Sequence, residues 1–130
     1  MIILAFKTDQ PPARLLLYQN ELRLAELNWP AGRQLAETLH HQIEKLLAQK
    51  NCRLADLEGL VVFKGPGSFT GLRIGAAAAN ALAYGLGVAI VGTSGSSWLK
   101  QGLKLLLNGR DHRIIVPGYG TPARTTEPKK

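Results

Sequence analysis

Apolar and polar positions follow two different periods along this chain, and the shorter period comes first. Three short apolar runs, at residues 2–6, 14–18 and 22–27, are separated by a Pro-Pro pair and by Asn20. Short apolar runs bounded by turn residues are typical of β-strands joined by turns. The N-terminal part is therefore predicted to form a three-stranded meander.

Between residues 31 and 50 the apolar positions adopt the period of a helix. They recur at i, i+4, i+8 and i+11/i+12, namely at Leu35, Leu39, Ile43, Leu46 and Leu47. Such a stripe predicts an amphipathic helix that packs one face against the core.

Strand-like and helical patterns alternate in the second half of the chain. Apolar runs at 60–63 and 88–91 predict strands, and the segments 72–86 and 94–107 predict helices. A strand–helix–strand unit implies parallel neighbours in the sheet. Together with the meander, this order predicts an α/β fold with a mixed sheet flanked by helices. A last short strand is predicted at 114–116.

The composition indicates one globular domain with a short tail. The chain has 130 residues, of which 45% are hydrophobic and 19% charged, enough for a single core. Residues 1–116 are predicted to form that domain, and residues 117–130, rich in Pro, Gly and Thr, an extended or disordered basic tail. No segment approaches the roughly 18 apolar residues of a membrane span, and the N-terminus lacks a signal-peptide pattern. A cytoplasmic protein is therefore expected.

The formal net charge of +7 is unevenly distributed. Basic and acidic side chains balance in residues 1–58, so the whole excess lies in residues 59–130. This asymmetry favours an anionic partner near the C-terminal half, although scattered charges also fit a solvated basic surface. The single cysteine excludes an internal disulfide, and the histidines have no ligand spacing, so no metal site is predicted.

The stretch GPGSFTGLRIG, at 65–75, separates a predicted strand from a predicted helix. Its glycines allow backbone N–H groups to converge on an anion, and the helix N-terminus adds partial positive charge. The candidate phosphate ligands are Gly65, Gly67, Ser68, Thr70, Gly71 and Arg73. Neither a Walker A loop nor a dinucleotide-binding fingerprint is complete here. A phosphate loop and a purely structural turn therefore both remain open.

The helix after this loop consists largely of small residues. Gly75, Ala79 and Ala83 lie on one line at i, i+4 and i+8, and alanines 76–78 occupy neighbouring positions. A helix this small and apolar is expected to be buried between the sheet and another helical layer.

The GPGSFTGLRIG motif, followed by a small-residue helix, resembles the signature of the TsaB (YeaZ) family of tRNA threonylcarbamoyladenosine biosynthesis proteins. The resemblance covers residues 1 to about 108 and includes an opening ILAF, LVVF before the loop and VAIVGTSG after the helix. It implies a single RNase H-like lobe of the actin/Hsp70/sugar-kinase (ASKHA) fold. It also implies a non-catalytic subunit without a cofactor, which binds a catalytic TsaD-like subunit, with a TsaE-like ATPase joining the assembly.

The resemblance places the contact with the TsaD-like subunit on the first two helices. The candidate interface residues are Ala36, His40, Leu47, Leu72, Gly75, Ala79, Leu82 and Ala83. Ala79→Glu is predicted to abolish association while leaving the monomer folded. A second interpretation, in which both helices only cover the sheet, remains open, as does a homodimer in the absence of the partner. No catalytic residue is predicted, and contact with tRNA is expected to be indirect.

The chain departs from the family pattern at several positions. Lys7 replaces the carboxylate usual in the first strand, with Asp9 two residues further on, and Leu35 stands near the position of a family histidine. The chain also ends where the family's second lobe begins. Metal-dependent nuclease chemistry, which shares this topology, is disfavoured because Lys7 and Lys64 stand at the strand ends. The alternative function is a stand-alone phosphate- or nucleotide-binding lobe that uses the GPGSFTG loop.

Overall fold

The structure is a computed structural model that describes residues 1–117. Its strands and helices are β1 (Ile2–Lys7), β2 (Ala13–Gln19), β3 (Leu22–Trp29), α1 (Leu35–Ala48), β4 (Gly59–Phe63), α2 (Phe69–Leu86), β5 (Ala89–Thr93) and α3 (Trp98–Leu107). Short 3-10 turns at Gly32–Gln34 and Leu54–Asp56 precede α1 and β4. The predicted tail lies outside the described residues except for Pro117.

The five strands form one mixed sheet in the order β3-β2-β1-β4-β5. The pairs β1–β2 and β2–β3 are antiparallel, and β1–β4 and β4–β5 are parallel. Central β1 is apolar over four consecutive buried residues, as expected for a strand covered on both faces. The predicted meander, the parallel crossover and the mixed α/β sheet are confirmed.

Helices cover both faces of the sheet. The apolar stripe of α1 and the small residues of α2 share one core with the side chains of Leu4, Phe6 and Leu60. The helix α3 covers the opposite face, where Trp98 contacts Phe63 edge-on at 5.7 Å between ring centroids. The stripe predicted for α1 is confirmed, since all five of its residues are buried.

Four predicted elements differ from the structure by three residues or more, and one of them, α2, begins at Phe69, three residues before the predicted start. The segment predicted as a strand at 114–116 is irregular, because the side-chain amide of Asn80 bonds both backbone groups of Ile115. The helix α3 begins at Trp98 and not at residue 94, since a turn with Gly95 at φ +79° precedes it. The helix α1 begins at Leu35 and not at residue 31, since Gly32 has φ +49° and opens a 3-10 turn.

The helices are too short or too polar to cross a bilayer: within residues 1–117, none meets the length and hydropathy that a membrane span requires.

Candidate functional site: the glycine loop and the faces of α2

The N-terminal half of α2 packs directly against the chain that leaves β1. A Cβ atom on Gly71 would collide with the carbonyl oxygen of Thr8, and one on Gly75 would collide with the Thr8 hydroxyl. That hydroxyl donates a hydrogen bond of 2.8 Å to the carbonyl oxygen of Gly71. Glycine is required at Gly71 because the two backbones approach more closely than a side chain allows, and at Gly75 a Cβ atom would displace the buried Thr8 side chain.

Asp9 fills the concave side of the glycine loop. Its carboxylate is buried, and its Oδ1 accepts a hydrogen bond of 2.7 Å from Nζ of Lys7. A Cβ atom on Gly67 would lie 2.8 Å from Oδ2 of Asp9, so the loop backbone packs on this side chain. The Lys7 ammonium also lies 4.5 Å from the centroid of the Phe63 ring. The ion pair neutralises the ammonium of Lys7, which stands where the sequence resemblance places a carboxylate.

A cleft of about 210 Å³ lies between the end of β1, the glycine loop and the start of α1. Its polar side chains are those of Thr8, Asp9, Gln10, Ser68 and Thr70, and no Lys or Arg is among its lining residues. Phosphate sites in proteins combine backbone N–H groups with cationic side chains or a metal. Within residues 1–117 no three His, Cys, Asp or Glu side chains are grouped as a metal site would need.

The predicted phosphate ligands are only partly oriented toward this cleft. Gly65 has φ +125°, whereas Gly67 does not adopt positive φ. Ser68 is the N-cap residue of α2, but its side chain makes no capping hydrogen bond. The Arg73 guanidinium lies 5.0 Å from the centroid of the Phe69 ring. In the structure the loop connects β4 to α2 and places the start of α2 against the end of β1.

The inner face of α2 includes half of the predicted interface. Ala79 is fully buried, and Leu72 and Ala83 are 1% and 5% exposed, all of them against the chain's own core. Gly75 is buried against Thr8. The prediction that Leu72, Gly75, Ala79 and Ala83 meet a partner is contradicted by this packing. The competing interpretation, in which the small residues cover the sheet, accounts for all four.

The outer faces of α1 and α2 enclose an apolar groove of about 290 Å³. It is lined by Leu39, His40, Ile43, Leu54, Ala78, Ala81 and Leu82. Two predicted interface residues, His40 and Leu82, therefore line this groove. Ala36 is exposed on α1, but Leu47 is only 1% exposed and belongs to the core, which corrects the prediction for that residue.

Beside the groove the outer surface of α2 carries small residues and one aromatic side chain. Ala77 and Ala81 are exposed, and Tyr84 is 92% exposed. Sequence reasoning missed Tyr84 and Ala81, as well as Thr8 and Asp9. Tyr84 could have been found, because it is the one large side chain on the alanine face of the helix. No local sequence pattern predicts that Thr8 and Asp9 contact the glycine loop, because their partners there, Gly71 and Gly67, lie about 60 residues away.

A family model described as "TsaD: tRNA N6-adenosine threonylcarbamoyltransferase" matches residues 30–109, which include the loop, α1, α2 and α3. Among curated proteins, TsaB of Haemophilus influenzae is 33% identical over 86 residues, which cover 66% of this chain and 36% of that protein. The chain therefore belongs to the TsaD-like family that this model describes, and within that family it is a TsaB (YeaZ) member.

Two further comparisons agree with this placement. The tRNA N6-adenosine threonylcarbamoyltransferase of Paracoccus denitrificans is 42% identical over 64 residues, covering 49% of this chain and 18% of that protein. The solved structure of YeaZ from Pseudomonas aeruginosa superposes with a TM-score of 0.63 at 26% identity, covering 72% of this chain and 43% of that one. The RNase H-like, actin-like fold expected for this TsaB member is thereby confirmed. The chain spans less than half the length of each of these relatives.

Proposed function

We propose that this chain takes part in the biosynthesis of threonylcarbamoyladenosine in tRNA, as a non-catalytic partner of a TsaD-like catalytic subunit. Its membership of the family and the functions that its TsaB relatives are named for support this pathway. We place the role in the cytoplasm, with a TsaE-like ATPase as a further partner and with tRNA contacted through the TsaD-like subunit. A homodimer in the absence of that subunit stays an open alternative.

The apolar groove between α1 and α2 carries the proposal. Ala77, Ala81 and Tyr84 are uncharged, Arg73, one turn before Ala77, is the only charged residue of α2, and the groove beside this surface is lined mainly by apolar side chains. Solvent-facing helices ordinarily carry charged residues on their outer face. An apolar groove flanked by a small-residue helix fits a helix of a partner, whose backbone can approach closely. His40 and Glu44, 3.6 Å apart, supply a polar rim on α1.

The composition of the cleft supports a non-catalytic role. Its single carboxylate, Asp9, is held by Lys7, so it is not free to ligate a metal or to accept a proton from a substrate. The alternative function, phosphate or nucleotide binding by the GPGSFTG loop, places an anion beside the same carboxylate. Because no Lys or Arg lines the cleft, an anion there would have only backbone and hydroxyl groups as partners, which favours the partner role over the alternative.

Size-exclusion chromatography with light scattering tests the proposal on this chain mixed with the TsaD-like subunit of the same organism. We expect a one-to-one complex that Ala81→Glu abolishes, because a carboxylate would be buried in an apolar contact. Tyr84→Ala is expected to weaken the complex about tenfold or more, as for an aromatic anchor at an interface. Gln101→Glu is the matched control, since it adds the same charge at an exposed position of α3 on the opposite face.

A complex that tolerates Ala81→Glu as well as Gln101→Glu would show that this surface is not the interface. If no complex forms and ATP raises the melting temperature of the chain alone, the nucleotide-binding alternative replaces the proposal. The circular dichroism of each variant establishes that a lost complex does not reflect a lost fold.

A further inference from the structure

The chain that leaves α3 turns back along the free edge of the sheet. We call residues 111–115 the edge strap. Within residues 1–117, β5 pairs only with β4, so its other edge would expose backbone groups without the edge strap. Unpaired edges are a liability that proteins cover or blunt. The edge strap covers this one without forming a strand.

Side chains of the edge strap replace the backbone acceptors of a sixth strand. The N–H of Ile90 donates to Oδ1 of Asp111 at 3.1 Å, and the N–H of Gly92 donates to Nδ1 of His112 at 3.0 Å. In return the N–H of His112 donates to the carbonyl oxygen of Ile90 at 2.8 Å. Ile90 and Gly92 are two positions apart, so their backbone groups face the same edge.

The other end of the edge strap is fixed to α2. Arg113 adopts φ +71° and reverses the chain, after which Ile115 enters the core with 4% exposure. Oδ1 of Asn80 accepts from the N–H of Ile115 at 2.8 Å, and Nδ2 of Asn80 donates to its carbonyl oxygen at 3.0 Å. These reciprocal hydrogen bonds hold this end independently of β5.

The hydrogen bond from Gly92 defines the protonation state of His112. Because a backbone N–H donates to Nδ1, that nitrogen must carry a lone pair, so the imidazole is neutral with its proton on Nε2. A second proton would place two N–H groups against each other and break the bond. Histidine is the side chain that ordinarily changes charge between about pH 5 and 8.

The charged groups around the imidazole differ in sign. They are Lys64, whose methylenes lie beside Gly92, and Arg110, Asp111 and Arg113 along the chain. The carboxylate of Asp111 is engaged by two backbone N–H groups, those of Ile90 and Arg113. The strap is bonded to Ile90 and Gly92 of β5 and to Asn80 of α2, none of which has a titratable side chain. The phenol of Tyr84 on α2 is nearby, since it lines a surface cavity together with Asp111, Arg113 and Ile114. His112 is therefore the one side chain of the strap whose hydrogen bond to β5 depends on an unprotonated ring nitrogen.

We propose that the edge strap is a pH-sensitive closure, which covers β5 while His112 is neutral and releases the β5 edge when the imidazole is protonated. Asn80 retains the far end of the strap in both states, so release is local. This inference does not depend on the proposed function.

Amide hydrogen exchange of the whole chain, followed by NMR from pH 8 to pH 5 and corrected for intrinsic exchange, tests the closure. We expect the protection of the Gly92 amide to fall about tenfold, the loss of one hydrogen bond, while amides of β4 keep theirs. The ring nitrogen shifts at pH 8 are expected to show the proton on Nε2. Constant protection at Gly92, or a neutral ring protonated on Nδ1, would overturn the proposal. Loss of protection throughout the sheet would also overturn it, since the event would then be unfolding.

Two variants distinguish the effect of protonating His112 from the effect of losing its side chain. His112→Asn keeps an acceptor that does not titrate, so we expect high protection of Gly92 at every pH. His112→Ala removes the acceptor, so protection is expected to be low at pH 8 and pH 5 alike. His40→Ala, which removes an exposed histidine of α1, should leave the wild-type response unchanged. A pH response that persists in His112→Asn would assign the titration to another group.

Discussion

The two faces of α2 consist of the same kinds of residues but lie in opposite surroundings. On the inner face, Gly71, Gly75 and Ala79 are buried against β1 and the core. On the outer face, Ala77 and Ala81 are exposed beside an apolar groove. Small side chains indicate that something approaches a helix closely, but they do not indicate what approaches. In α2 the inner neighbour is the chain's own Thr8, and the outer neighbour is the proposed partner.

The largest expected difference in stability is between two variants that introduce a carboxylate, one on the inner face of α2 and one on its outer face. Ala79→Glu would bury a charge at a fully buried position, and we expect it to lower the free energy of unfolding by about 4 kcal/mol or more. The variant is expected to be largely unfolded, contrary to the sequence-based prediction of a folded monomer that no longer associates. Ala81→Glu, two residues further along, should change the free energy by less than about 0.5 kcal/mol.

Urea denaturation followed by circular dichroism measures both variants. A folded Ala79→Glu protein of wild-type stability would show that the inner face of α2 is not packed as described.

The contact between Gly71 and the backbone of Thr8 gives the second contrast. A methyl group at Gly71 would collide with a carbonyl oxygen, which cannot move as a side chain can. We expect Gly71→Ala to lower the free energy of unfolding by about 2–3 kcal/mol, the range of overpacked sites. Thermal and urea denaturation would reveal the loss, and stability equal to the wild type would rule out this close approach.

The hydroxyl of Thr8 gives a smaller effect at the same contact. Thr8→Val keeps the side-chain shape but leaves the carbonyl oxygen of Gly71 without this donor. We expect a loss of about 0.5–1.5 kcal/mol, the contribution of one hydrogen bond, because the N–H of Gly75 in the helix still bonds this carbonyl oxygen. Thr70→Val is the control, because Thr70 is exposed in the first turn of α2, the helix that Thr8 contacts. Equal effects of the two substitutions would mean that the Thr8 hydrogen bond contributes nothing.

The smallest effect, of opposite sign, is expected at Gly85. A Cβ atom added to this helical glycine would meet no atom within 4 Å, and the residue does not adopt positive φ. Gly85→Ala should therefore raise the free energy of unfolding by about 0.5–1 kcal/mol, because alanine costs less backbone entropy in a helix. Thermal denaturation measures the change. A destabilised Gly85→Ala would indicate that the outer face near the end of α2 is packed against something.

Most of the fold could be predicted because its signals are local. The stripe of α1, the alternation of β2 and β3, and the apolar run of β4 each reflect the burial of a face by a regular element. The prediction of a strand at 114–116 is wrong because the backbone of Ile115 is bonded by Asn80, which lies 35 positions away. No local pattern in the sequence connects these two residues. The same limit explains why the contacts of Asp9 and Thr8 with the glycine loop were not predicted.

The sequence by itself determined that this chain has a mixed α/β sheet, that a glycine loop launches a small-residue helix, and that the loop belongs to the TsaB family. Periodicity and a long motif carry that information without any knowledge of distant contacts. Only the tertiary structure decided which side of α2 is buried. The approach of β1 to Gly71 and Gly75 fixes the rotation of the helix about its own axis. That rotation places Ala79 in the core and leaves Ala81 and Tyr84 exposed.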